Sequence, residues 1–224
     1  SVRALSMEQG LEVFVLPVGI NVFSPVQDRI YDERTVPINL SMSTEVNFFK
    51  YSDNGGILRT LCRNCNEYGF SRPKKKGFSD GFHELVILGV FDQGNIEEHI
   101  NFTVDSKKPK ILKTEPKRNQ ATNGSDFYMK YTEENIKEVL ISWNPTVNLT
   151  SECDDPGINQ ECFFGVNLSA FDGQEIEYQI NMTDIANSTA SSIPTKVLVD
   201  TTSPLLTVNA PLNDGAYGRR VPFN

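Results

Sequence analysis

Gly77-Phe78-Ser79-Asp80-Gly81 has the spacing of a nucleophile elbow, in which a sharp strand-to-helix turn presents a serine over an oxyanion hole. His83 stands close enough in sequence to serve as its base, but no acid is assigned to complete the set. The context is wrong on both sides. A lysine run precedes the motif, and a strand pattern follows it. The Asp-Gly pair also recurs as Asp172-Gly173 without the serine motif, so it reads as a turn entering a strand. His99 falls on another strand, and neither histidine has a helix-spaced partner for a metal. Both read as exposed strand residues. The sequence therefore predicts no catalytic residue and no enzyme.

The four cysteines form two close pairs, Cys62/Cys65 and Cys153/Cys162. They admit several connectivities, but closeness favours one pair per module and an oxidising compartment. The stretch around Cys62-Arg63-Asn64-Cys65 reads as a turn, unlike the helix start that a redox motif needs. Acidic residues collect at Glu152, Asp154, Asp155 and Glu161, with Asp105 and Asp200 at module exits. Solvated loop carboxylates are the plain reading. A structural calcium held by Asp154, Asp155, Asp105 or Asp200 is the alternative, although no EF-hand signature is present. No other cofactor is implied. Trp143 continues the alternation of Val139 and Ile141 and is expected in a core, with an exposed sugar platform as the alternative.

A formal charge of −8 argues against nucleic acid. The one basic run, Arg72-Pro73-Lys74-Lys75-Lys76, reads as a solvated loop, with an anionic glycan or lipid head group as the alternative. No apolar stretch reaches the roughly 20 residues of a membrane span. Residues 1–16 also lack the apolar segment of a signal peptide, so any export signal is expected outside this sequence.

N-x-S/T sequons occur at Asn39, Asn101, Asn123, Asn148, Asn167, Asn181 and Asn187. Seven is about twice what composition alone would give. In a strand, residues i and i+2 share a face. The middle residues Leu40, Phe102, Leu168 and Met182 belong in a core, which would turn the flanking Asn and Ser/Thr toward solvent.

The elements that must position these residues follow from an internal repeat. Val104-Asp105-Ser106-Lys107-Lys108-Pro109 recurs as Val199-Asp200-Thr201-Thr202-Ser203-Pro204. An Asp-x-small-Asn turn precedes each, at Asp92–Asn95 and Asp184–Asn187, and a strand-like run opens at each Asp-Gly. Pro25 to Tyr31 and then Val36-Pro37-Ile38-Asn39 returns as Pro211 to Tyr217 and Val221-Pro222-Phe223-Asn224. Within the repeats the period is two: Val36, Ile38, Leu40 and Met42, or Phe127, Met129 and Tyr131, alternate with polar residues. Asn54-Gly55-Gly56 supplies hairpin-turn residues between two such runs. The expected class is all-β, tandem antiparallel β-sandwiches. The expected bounds are a lead-in strand over 1–17, modules over 18–109 and 110–204, and a truncated third module over 205–224. Its strand Leu205–Ala210 would present an unpaired edge.

The endings GFHELVILGVFDQGN…INFTVDSKKP and GQEIEYQINMTDIAN…KVLVDTTSP, with the opening INVFSPVQDRIYDERTVPINLSMS, resemble immunoglobulin-like repeats of archaeal and bacterial cell-surface proteins. The second copy departs from that pattern with Ala186 in place of the turn glycine. The resemblance implies an immunoglobulin-like sandwich, a cell-surface location and a non-catalytic structural role, S-layer-like or as a stalk spacer. Its partners would be further copies or neighbouring surface proteins. The rival expectations are an adhesin or receptor module for a protein or glycan, and an accessory module of an exported hydrolase.

Overall fold

The computed structural model describes residues 19–203, and the chain divides into two compact units, one up to Lys108 together with Ile185–Ser188 and the other from Pro109 onward. The lead-in strand expected over 1–17 and the third module expected over 205–224, with Leu205–Ala210, lie outside the described residues. The first unit contains β1 (Asn21–Ser24), β2 (Ile30–Tyr31), β3 (Thr35–Pro37), β4 (Asn39–Asp53), β5 (Arg59–Tyr68), β6 (Lys75–Gly77), β7 (Gly81–Phe91) and β8 (Gly94–Val104). The second contains β9 (Lys110–Glu115), β10 (Ala121–Thr122), β11 (Phe127–Glu133), β12 (Ile136–Ser142), β13 (Thr146–Asn148), β14 (Gly157–Phe164), β15 (Glu175–Asp184), β16 (Thr189–Ser191) and β17 (Thr195–Val199). One 3₁₀ turn, Ser169–Phe171, interrupts the strands. Among the described residues no helix is long and apolar enough to cross a membrane.

The second unit shows the sandwich most plainly. One sheet runs β10-β17-β15-β12-β13, with β16 also on β15, and the other runs β14-β11-β9. Strict alternation buries Phe127, Met129 and Tyr131 of β11 and Ile176, Tyr178, Ile180 and Met182 of β15. With Val139, Ile141, Val197 and Phe164 they form one core. Full burial of each large apolar side chain contributes about 1.5–3 kcal/mol, which is what fixes the strand faces. Trp143 joins this core, as its place in the alternation predicts, so it is not an exposed sugar platform. In the first unit the order is β1-β4-β7-β8-β2, with β5 on β4 and a β3-β6 pair beside it. Val36, Ile38, Leu40, Met42, Phe49, Leu85, Ile87, Ile100 and Phe102 make its core.

The two units repeat in backbone detail. Among the described residues of each, all pairings are antiparallel except one: β2 runs parallel to β8, and β10 runs parallel to β17. The bonds around those pairs correspond one for one. Asp28 N donates to Asn101 O, Thr103 N to Arg29 O and Asp105 N to Tyr31 O. Likewise Asn119 N donates to Lys196 O, Leu198 N to Gln120 O and Asp200 N to Thr122 O. Asp28 and Asn119 both take the left-handed conformation, φ 59° and 65°, which Asn and Asp tolerate best among residues with a Cβ.

The units differ in two connections. β4 pairs with β1 through its first residues and with β7 through its last, covering in one strand what β11 and β12 do on either side of a turn. The final strand of the first unit, β8, is continuous, whereas in the second it is split into β16 and β17. Pro194 has no N–H to offer the ladder there, and close by Ile180 N donates to the Ser192 hydroxyl at 2.9 Å.

Cys62 is bonded to Cys65, and Cys153 to Cys162. The first pair corrects the turn expected around it, because Cys62 and Cys65 both lie within strand β5. Asn64 between them has φ 45°, and this left-handed residue makes the segment look like a turn in sequence. Cys153 and Cys162 are buried, 1% and 4% exposed, whereas Cys62 and Cys65 are half-buried. Graded addition of a small thiol reductant is therefore expected to open Cys62–Cys65 first, read by alkylation and peptide mass spectrometry. Simultaneous labelling of all four would contradict the burial argument.

Candidate functional site

Ser79 and His83 meet where β4, β7 and the segment before β7 come together. The register of β4 on β7 sets Asp53 opposite Leu85 and so brings it beside His83, a partner invisible in the sequence. His83 Nδ1 lies 2.8 Å from Asp53 Oδ1, and Nε2 lies 2.9 Å from the backbone carbonyl of Ser79. The histidine is 1% exposed, which corrects the expected exposed strand residue. Its ring stacks on Phe102 at 5.2 Å and meets Phe78 edge-on. His99, by contrast, is exposed and faces Glu84 and Glu97.

Ser, His and Asp are thus neighbours without forming a nucleophile–base pair. The nitrogen that would take a proton from the Ser79 hydroxyl is bonded to the Ser79 carbonyl instead. A shallow cleft lined by Tyr51, Asp53, Ile57, Arg59, Phe78 and Ser79 lies over the group. What the arrangement does chemically is tie the turn before β7 to the end of β4, through a ring packed between two phenylalanines.

Asp80 and Asp172 form the second constellation. Asp80 Oδ1 accepts from Ser106 N at 3.0 Å and from Ser106 Oγ at 2.5 Å, while Oδ2 accepts from Arg34 Nη2 at 2.5 Å. Asp172 Oδ1 accepts from Thr201 N at 2.7 Å and Thr201 Oγ1 at 2.8 Å, and Oδ2 from Thr202 Oγ1 at 2.9 Å. The carboxylate at the head of β7 or β15 therefore clasps the residues leaving the last strand of its own module. Reading the Asp-Gly pairs only as turns misses this clasp. The signal for it is the return of Asp-Gly together with a Val-Asp-Ser/Thr exit.

The clasps make stability depend on pH. Arg34, then Ser106, hold Asp80 well below the usual carboxylate range, and the Thr201 amide, then its hydroxyl, lower Asp172. A folded-state pKa below the unfolded one gives stability that is complete above the unfolded value, about pH 4. It is lost as pH falls through the folded value. Denaturation between pH 5 and 2 is expected to show both modules weakening below about pH 4. Asp80→Asn should flatten that dependence for the first module alone, read by hydrogen exchange in β7 and β8.

The acidic residues considered for calcium are not brought together. Asp105 is buried at the exit of the first module, and Asp200 is exposed at the exit of the second. Asp154 and Asp155 lie on the loop before β14, where the Asp155 carbonyl accepts from Tyr131 Oη at 2.9 Å. Among the described residues no three His, Cys, Asp or Glu are placed to hold a metal. Of the basic run, Lys75 and Lys76 enter β6, and Lys75 pairs with Glu33 at 3.5 Å. Leu40, Phe102 and Met182, the middle residues of three sequons, are buried as the period predicts; Leu168 is buried too, but just before the 3₁₀ turn and not in the strand expected there. Asn39, Asn101 and Asn181 are nevertheless half-buried, because neighbouring strands flank them; Asn123, Asn148, Asn167 and Asn187 are exposed.

No family model and no curated protein matches the chain. Similar solved structures include the fibronectin(III)-like modules of Clostridium thermocellum CbhA, at 18% identity over 81% of this chain and 94% of that one, with a TM-score of 0.37. The titin I-band fragment I67–I69 is 15% identical over 80% of this chain and 65% of its own, with a TM-score of 0.42. A DUF3823 family protein from Bacteroides ovatus is 12% identical over 80% and 98%, with a TM-score of 0.29. Strand order and core carry the assignment. The described residues form two units of immunoglobulin-like β-sandwich fold, with two disulfides suited to an oxidising compartment.

Proposed function

We propose that this chain is a non-catalytic structural segment of a secreted or cell-surface protein, a stalk or S-layer-like spacer built from immunoglobulin-like modules. The exit clasp is the observation that carries this reading. Asp80 and Asp172 each pin the first residues beyond the last strand, so the chain leaves each module from a fixed point. A binding loop has no need of such a device, whereas a spacer depends on it. Small-angle scattering of the full chain should give a narrow range of dimensions that broadens in Asp80→Ala/Asp172→Ala. A parent chain as broad as the variant would defeat the spacer reading. Surface biotinylation of intact native cells tests location, and light scattering with and without calcium tests lattice formation.

One observation favours the adhesin or receptor alternative. Ile57 and Leu58 stand exposed, 86% and 49%, on the loop between β4 and β5. Paired exposed aliphatic residues on a loop suit a protein contact. Cell binding that is lost in Ile57→Ser/Leu58→Ser, with the chain remaining monomeric, would favour that reading over the spacer.

A further inference from the structure

We propose that Asn123, Asn148 and Asn167 are the N-glycan acceptors of the folded chain, and that the strand sequons Asn39, Asn101 and Asn181 are not. The assignment rests on the exported location proposed above and separates sites that the motif alone leaves equivalent.

The three acceptors share one local geometry. Asn123 Oδ1 accepts from Ser125 N at 2.9 Å and Ser125 Oγ at 2.7 Å. Asn167 Oδ1 does the same with Ser169, at 3.1 and 2.8 Å, and Asn148 Oδ1 accepts from Thr150 N at 2.8 Å. In each, the carbonyl end of the amide is folded back onto its own sequon, so those contacts do not engage Nδ2. Each asparagine is exposed, while the middle residues Gly124, Leu149 and Leu168 are buried and anchor the turn. The turns are themselves held: Val166 N donates to Gly124 O at 2.7 Å, and Gly124 (φ 93°) lies so close to Val166 O that a Cβ there would stand 2.3 Å away.

The sequons of Asn39, Asn101 and Asn181 lie within the sheets. The Asn39 amide faces the carbonyls of Ile38 and Gly69, and with Nδ2 turned toward them it donates at 2.9 and 3.3 Å. It presses on Gly69 so tightly that a Cβ would come within 2.3 Å of the amide. Asn181 lies in β15 between β12 and β16, with its Oδ1 accepting from Ser191 Oγ at 2.6 Å. Asn101 lies half-buried in β8, opposite Glu84 of β7. The hydroxyl of Thr183, which completes the Asn181 sequon, is bonded to that of Thr189, which completes the Asn187 sequon, so that pair is mutually engaged.

The reaction requires a lipid-diphosphate-linked sugar as donor. Nδ2 forms a bond to the anomeric carbon while the bond from that carbon to the phosphate oxygen breaks. The electron pair leaves with the lipid diphosphate, and one Nδ2 proton passes to a base of the transferase. Only an amide with free space around Nδ2 can enter such a site without opening a sheet first.

The test incubates the purified, oxidised chain, folded or reduced and unfolded in parallel, with a purified oligosaccharyltransferase and a lipid-linked oligosaccharide. Site occupancy is read by glycopeptide mass spectrometry. On the folded chain, Asn123, Asn148 and Asn167 are expected to react about tenfold faster than Asn39, Asn101 and Asn181, or more, since strand sites require local opening. The difference should vanish on the unfolded chain. Equal or faster reaction at the strand sites of the folded chain overturns the assignment, as does no reaction at the three turns. Glycopeptides from native material complete it. A surface-located chain bare at all three turns overturns the proposal. A chain retained inside the cell overturns the export reading and native modification with it, whatever the transferase prefers in vitro.

Discussion

Tyr178→Ala is expected to destabilise the second module by about 3–5 kcal/mol, the range for deleting a buried aromatic side chain. Tyr178 lies on central strand β15, fully buried, with its ring edge-on to Phe127 at 5.1 Å. Its hydroxyl donates to the Pro116 carbonyl at 2.7 Å, a bond that ties the segment after β9 to the opposite sheet. The substitution removes core from both sheets and strands that carbonyl without its donor. Against total stabilities of about 5–15 kcal/mol, such a loss brings a domain near its unfolding threshold. Hydrogen exchange on the full chain should show lost protection across β11, β12 and β15, with β4 and β7 unchanged. Tyr178→Phe keeps the packing and is expected to cost only about 1 kcal/mol.

His83→Ala is expected to cost the first module about 2–4 kcal/mol, combining a cavity with two unsatisfied partners. The ring fills the space between Phe78 and Phe102, and its loss leaves Asp53 Oδ1 and the Ser79 carbonyl without their bonds. Ser79→Ala should change stability by less than about 0.5 kcal/mol, because the backbone carbonyl, not the exposed hydroxyl, makes the contact. Urea denaturation of both variants distinguishes the roles. An esterase activity present in the parent and abolished in stable Ser79→Ala would overturn the structural reading of this cluster.

Much of the architecture was legible because burial follows a period that can be read along the chain. Val36 to Met42 and Phe127 to Tyr131 alternate in sequence and in the cores alike. What stayed hidden depends on registers between distant strands. Asp53 and His83 stand 30 residues apart and meet only because β4 aligns with β7. A polar histidine next to Phe82 and Leu85 looks like a surface position until that pairing supplies its acceptors. The Cys62-to-Cys65 segment misled for a local reason, since Asn64 takes a turn-like conformation without ending the strand. For the sequons at Asn39, Asn101 and Asn181, alternation fixed which middle residue is buried, but the neighbours beside each asparagine come from other strands.

The one parallel pairing in each module bears on how the chain would carry tension. The second strand of each module, β2 or β10, lies beside the departing strand, β8 or β17, and points the same way. Pulling the two ends of a module apart therefore drags these neighbours in opposite directions along their length. The bonds from Thr103 N to Arg29 O and Asp105 N to Tyr31 O, and their counterparts from Leu198 N and Asp200 N, are loaded together in shear. A hairpin pulled from its open end would surrender its bonds one at a time. The residues that carry this shear are Ile30–Tyr31 in one module and Ala121–Thr122 in the other.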